Sequence, residues 1–101
     1  MKIEWDEEKR LSNLAEHGVD FVDAREMSAA PMLVGPDFRK EYGELRLIGY
    51  GHIRGRCMTI AFTRRGEAIR IISLRKANGR EQERFEKEIG DRLGSAGFHE
   101  R

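Results

Sequence analysis

The run Ile69-Arg70-Ile71-Ile72-Ser73-Leu74-Arg75-Lys76 constrains the fold more than any other stretch, because its isoleucines favour an extended, packed backbone. It leads into Asn78-Gly79-Arg80-Glu81, which reads as a helix start with Asn78 as cap and Glu81 as the reciprocal box residue. The sequence therefore predicts a central strand feeding a C-terminal helix. Strict alternation puts Ile69, Ile71, Ser73 and Arg75 on one face and Arg70, Ile72, Leu74 and Lys76 on the other. Each face then carries a cation that must sit at an edge, an end or a cleft. Arg75 and Lys76 either mark a solvated strand end or reach a functional site.

Two further runs, Leu45 to Ile53 and Arg56 to Thr63, join this one through Arg54-Gly55 and Arg64-Arg65-Gly66-Glu67, gaps that suit hairpins of an antiparallel meander. Met58, Ile60 and Phe62 alternate with Thr59, Ala61 and Thr63, so one face is bulky and is expected to receive the helices. Upstream, Ile3-Glu4-Trp5 reads as a short strand. Asp6 caps a helix over Glu7 to His17 that Gly18 ends in the left-handed region, so His17 reads as a dipole partner. Asp20 caps a second, short helix carrying Phe21, Val22, Ala24 and Met27. Pro31 to Val34 is expected as an edge strand ended by Gly35-Pro36-Asp37, and Asp37 to Glu44 as an exposed loop. The last helix, to Leu93, buries Phe85 and Ile89. The expected organisation is one α+β domain over residues 1–93 with a loose tail over 94–101 that carries His99.

Length and composition bound the class. A chain of 101 residues has room for one core. Its 37% charged residues are high, yet the apolar ones fall in periodic runs, so it should fold. No apolar run approaches the ~20 residues that span a bilayer, and the first residues lack a signal-peptide core, which gives a cytoplasmic expectation and no membrane partner. Cys57 is alone and sits in a strand, a small core residue rather than a nucleophile. His17, His52 and His99 are too scattered to pair as ligands, so no metal and no cofactor is expected.

The net charge of +1 hides a strong partition. Residues 1–38 hold four Lys/Arg against nine Asp/Glu (−5), residues 39–80 eleven against three (+8), and residues 81–101 four against six (−2). A basic block within an otherwise acidic chain is the footprint expected for a polyanion partner. The cations Arg46, Arg54, Arg56, Arg64, Arg65, Arg70, Arg75, Lys76 and Arg80 are interleaved with Tyr42, Tyr50 and Phe62. Guanidinium forks grip phosphate oxygens and aromatic faces stack unpaired bases, a combination that suits single-stranded RNA. There is no Walker loop, dinucleotide fingerprint or Ser/His/Asp order, and Gly49-Tyr50-Gly51 lacks the setting of a phosphate loop. RNA cleavage without a metal needs an aligned 2′-hydroxyl, cations on the pentacoordinate transition state and a proton carrier. Arginines supply the second, and His52, Glu44, Glu81, Lys76 and Tyr42 all stay open for the third.

The ordered set Glu4-Trp5-Asp6, Lys9, Asn13, His17-Gly18-Val19, Phe21, Asp23-Ala24, Glu44, Arg46, Gly49, Thr63, Arg65-Gly66, Arg70-Ile71-Ile72-Ser73, Arg75-Lys76-Ala77 and Glu81 resembles the BrnT family, from residue 3 to about residue 88. The resemblance implies a ribonuclease toxin of a type II toxin–antitoxin module with a RelE-like fold. It also implies a cognate BrnA-type antitoxin with a DNA-binding domain, and a hetero-oligomeric complex that represses its own operon. Arg46, Arg65, Arg70, Arg75 and Lys76 fall on the family's basic positions, while Leu74 stands where the family usually has Ala and Phe85 where Tyr is common. We take Arg46, Arg65, Arg70 and Arg75 as the expected catalytic cations, with Arg75 rather than Lys76 sharing a cleft with Arg46 and Arg65. Lys76, Arg64, Arg80 and Tyr50 are the expected RNA contacts. The competing class is a non-enzymatic basic module that binds only nucleic acid or antitoxin. A purely structural domain leaves the charge partition unexplained.

Overall fold

The computed structural model describes residues 2–97, with side chains to Asp91. Five strands, β1 (Lys2–Trp5), β2 (Leu33–Pro36), β3 (Leu47–Ile53), β4 (Arg56–Arg65) and β5 (Ala68–Lys76), form one sheet in the order β1-β5-β4-β3-β2. β2 to β5 make the expected antiparallel meander. The sheet as a whole is mixed, because β1 lies parallel to β5 with Ile3 opposite Ile69 and Trp5 opposite Ile71. Local patterning carries no signal for that pairing, which joins residues more than sixty positions apart.

Helix α1 (Glu7–His17) has the expected ends. The Asp6 carboxylate accepts the Glu8 N–H at 2.9 Å, and Gly18, at φ 72°, donates its N–H to the Leu14 carbonyl at 2.9 Å. The segment capped by Asp20, Phe21–Ala29, is a 3-10 helix. Its buried residues, Phe21, Ala24 and Met27, recur every third position, and a threefold turn stacks them on one ridge. Gly51 of β3 lets this segment approach: a Cβ there would lie 3.3 Å from Met27, and 3.1 Å from Met32 just beyond the segment. β2 runs through Gly35 and Pro36 rather than stopping at Val34. It is an edge strand, where the N–H that proline lacks is not needed on the open side.

The 3-10 segment packs Phe21, Ala24 and Met27 into the core with Met58, Ile60 and Phe62 on the bulky face, as expected, while α1 lies against β5. Helix α2 (Gly79–Gly97) lies on the other face, against the expectation that one face takes all the helices. Thr59 and Ala61 leave room there. Fully buried Phe85 meets the His52 ring edge-on at 5.3 Å, and the Thr59 hydroxyl donates to Glu81 at 3.2 Å. The helical backbone continues past Leu93 to Gly97, and the rest of the expected tail, with His99, lies outside the described residues. Among the described residues no helix is long and apolar enough to cross a membrane.

β1 flanks β5 only as far as Ile71, and beyond it a side chain takes the place of a strand. Buried Asn13 donates from Nδ2 to the carbonyls of Leu74 (2.7 Å) and Val19 (3.0 Å), and its Oδ1 accepts the Leu74 N–H at 3.1 Å. Asn13→Ala leaves this buried backbone pair unsatisfied and should cost about 2 kcal/mol in urea unfolding. A loss under about 0.5 kcal/mol would mean that water replaces the amide.

Candidate nucleic-acid interface

The face beneath α2 owes its charges to an irregularity in β5. Thr59 pairs with Arg75, Ala61 with Ser73, Phe62 with Ile71 and Thr63 with Arg70, so Ile72 is the extra residue of a β-bulge. Paired residues share a face, so the bulge corrects strict alternation. Ile71 and Leu74 both turn into the core, while Arg70, Ser73 and Arg75 share the opposite face.

Arg46 and Arg65 meet at Glu44 at one end of this face, and Arg70 stands at the same end, opposite Thr63. The Thr63 hydroxyl donates to the Leu45 carbonyl at 2.9 Å, and the Arg46 carbonyl accepts the Asp37 N–H at 2.8 Å, which holds Arg46 beside the Thr63/Arg70 row. Its guanidinium stacks on the Tyr42 ring, 4.1 Å from the centroid. Its Nε is shielded from water yet has no hydrogen-bond partner, lying 3.6 Å from Glu44 Oε2. Arg65 Nη2 stands 3.7 Å from the other Glu44 oxygen. Glu44 is thus bracketed by two guanidiniums, neither hydrogen-bonded to it. Arg70, by contrast, donates to Glu4 at 2.9 Å.

Arg75 shares the face but not the cluster. The Thr59/Arg75 row is four β4 residues from the Thr63/Arg70 row, about 13 Å along the strand. Arg75 forks onto Glu81 at 2.8 and 2.9 Å. Glu81 also closes the capping box, its Oε1 accepting the Asn78 N–H at 2.9 Å while Asn78 Oδ1 accepts the Glu81 N–H at 2.8 Å. The Arg75 fork, helped by the Asn78 N–H and the Thr59 hydroxyl, pulls the Glu81 carboxyl down to about 2. Tyr50 lies on the same row, opposite Thr59. Lys76 and Arg64 pair with Met58 and Ile69 and so belong to the bulky face, and Arg80 is exposed in the first turn of α2.

The loop between β2 and β3 is better organised than its polar sequence suggests. Buried Asp37 accepts the Arg39 N–H (3.1 Å), both arms of the Arg39 fork (2.9 Å each) and the Tyr42 hydroxyl (3.0 Å). These donors, Arg39 foremost, hold its carboxyl well below the usual carboxylate range. Asp37 therefore positions Tyr42, and Tyr42 positions Arg46. Sequence reading missed Asp37, although an aspartate just after Gly-Pro is a residue type that binds its own loop backbone.

Geometry separates the five open proton carriers. His52 faces Phe85, Tyr42 donates to Asp37, Glu81 is held by three donors and Lys76 is on the other face. Glu44 stays beside the cations, lining a cleft of ≈ 540 Å³ with Arg46, Tyr42 and Lys40. The buried Cys57 thiol is pushed up by desolvation, as befits a core residue. No group of three or more His, Cys, Asp or Glu among the described residues is arranged to hold a metal ion.

These features define a small α+β protein with a mixed five-stranded sheet that carries Arg70 and Arg75 on the face opposite its main core. Residues 5–81 match the family model described as ribonuclease toxin, BrnT, of type II toxin-antitoxin system, and the chain belongs to that family. Membership brings an antitoxin partner with it. The matched segment contains Glu44, all four nominated arginines and Glu81, and leaves out most of α2. No curated protein matches the chain.

Proposed function

We propose that this protein, a toxin of RelE-like fold, is a metal-independent endoribonuclease that arrests translation and growth by cutting RNA in the cytoplasm. The observation that carries this reading is the Arg46–Glu44–Arg65 arrangement: two guanidiniums not satisfied by hydrogen bonds to the carboxylate between them. Arg46 and Arg65 hold the non-bridging phosphate oxygens, and Arg70 adds positive potential beside them. Glu44 takes the proton from the 2′-hydroxyl, O2′ bonds to phosphorus, the P–O5′ bond breaks, and the departing oxygen takes a proton from water. A cognate BrnA-type antitoxin neutralises the toxin by covering this face, since a bare basic surface would bind nucleic acid indiscriminately. The hetero-oligomer reaches operator DNA through the antitoxin.

The antitoxin-free chain should cleave single-stranded RNA in the presence of EDTA, leaving 2′,3′-cyclic phosphate or 3′-phosphate ends, and adding the antitoxin should stop it. A requirement for Mg²⁺, or 5′-phosphate products, would defeat this chemistry. The non-enzymatic reading draws on the ion pairs that already occupy Arg70 and Arg75, which suit a surface built for binding. Growth arrest with no RNA cleavage would favour it.

A further inference from the structure

A second cleft lies beside the first, between α2 and the arm formed by β2 and β3. It has a volume of ≈ 610 Å³, in the range of small-ligand sites, and is lined by Phe38, Tyr50, Arg39 and Arg84 together with Asp37 and Glu88. Phe38 and Asp37 line both clefts, so Phe38 is the wall between them.

Phe38 is 83% exposed, the most exposed of the large apolar side chains described. Its place in the chain is nevertheless fixed. Asp37 before it is bound through its own N–H to Arg46, and Arg39 after it is bound through backbone and side chain to Asp37. The ring is thus held in water by an ordered backbone, as a stacking platform requires. Arg39 and Arg84 supply two guanidiniums to the lining, and Arg75, paired with Glu81, lies near enough to Arg39 and Tyr50 to add to the positive potential. Asp37, Glu88 and Glu81 offset them, which favours the face of a base over a run of phosphates.

We infer that this cleft binds one unpaired nucleotide of the RNA strand flanking the scissile phosphate, with its base stacked on Phe38 and Tyr50 alongside. The inference rests on the ribonuclease reading for its substrate and adds a subsite that sets how RNA is gripped, not how it is cut. Phe38 is a binding residue here, and its loss should appear in affinity and KM rather than in kcat.

The test uses the full chain and a short fluorescein-labelled oligoribonucleotide carrying 2′-O-methyl groups throughout, which can bind but cannot be cleaved. Phe38→Ala should raise its Kd about tenfold by anisotropy, with little change in salt dependence, whereas Phe38→Trp should keep it. On unmodified RNA the same Ala variant should raise KM about tenfold and leave kcat within about twofold. Unchanged Kd and KM in Phe38→Ala would overturn the subsite, as would a loss of antitoxin affinity with RNA binding intact, which would assign Phe38 to the antitoxin. Phe38-dependent binding by a protein that cleaves nothing would uphold the subsite and overturn the ribonuclease reading instead.

Discussion

RNA cleavage by the Arg46→Ala protein should fall by roughly 100- to 1,000-fold, the usual loss when one preorganised charge contact to a transition state is removed. Arg46 carries this expectation over Arg70 and Arg75 because those two already donate to Glu4 and Glu81, whereas Arg46 makes no hydrogen bond to Glu44 that a phosphate would have to break. Glu44→Gln should lose a comparable factor, since the amide keeps the shape but cannot take a proton. Stability should barely move in either case, the Arg46–Tyr42 stack contributing about 0.5–1 kcal/mol. Arg70→Ala, which gives up an ion pair with Glu4, should slow cleavage by less than about tenfold. The measurement is cleavage of a defined RNA by each variant, with folding verified by circular dichroism. Near-wild-type activity in both Arg46→Ala and Glu44→Gln would remove the proposed centre.

Glu81→Ala should be the most destabilising single change on this face, by about 3 kcal/mol, or roughly 10–20 °C in Tm. One side chain there holds the Arg75 fork, the Thr59 hydroxyl and the Asn78 N–H, so its loss frees α2 from the sheet at two points and uncaps it at a third. The effect has a pH signature. The carboxyl is lowered from 4.5 to about 2 in the folded protein, so its contribution is complete above pH 4.5 and is lost as the pH falls toward about 2. The Tm difference between wild type and Glu81→Gln should therefore shrink across that interval. A difference that stays constant from pH 6 to pH 2 would show that the charge of Glu81 does not hold the helix. Arg75→Ala shares part of this loss, so its effect on activity has to be read against its effect on stability.

What could be read from the sequence is what neighbouring residues decide. Asp6 and Gly18 bound α1, Asn78 and Glu81 cap α2, and Arg54-Gly55, both at positive φ, turn the β3–β4 hairpin, each through contacts within a few positions. What stayed hidden depends on register or on distant partners. The extra residue at Ile72 moves Arg70 to the side of Arg75, and alternation read along β5 alone has no means of seeing it. Arg75 is drawn to Glu81 rather than to Arg46 because strand spacing separates the two rows. Arg39 and Phe38 looked like ordinary loop residues until Asp37, buried under them, fixed their positions.

The amide of Asn13 also decides how other chains can approach. Unpaired strand margins invite foreign strands, through aggregation or through partners that extend a sheet. Past Ile71 the margin of β5 is already engaged at Leu74, where Asn13 occupies both the donor and the acceptor that an added strand would seek. A visiting peptide could lengthen the sheet there only by prying α1 away. Strand addition by a partner is thereby directed away from this margin and toward the outer edges of β1 and β2, the two ends of the sheet order.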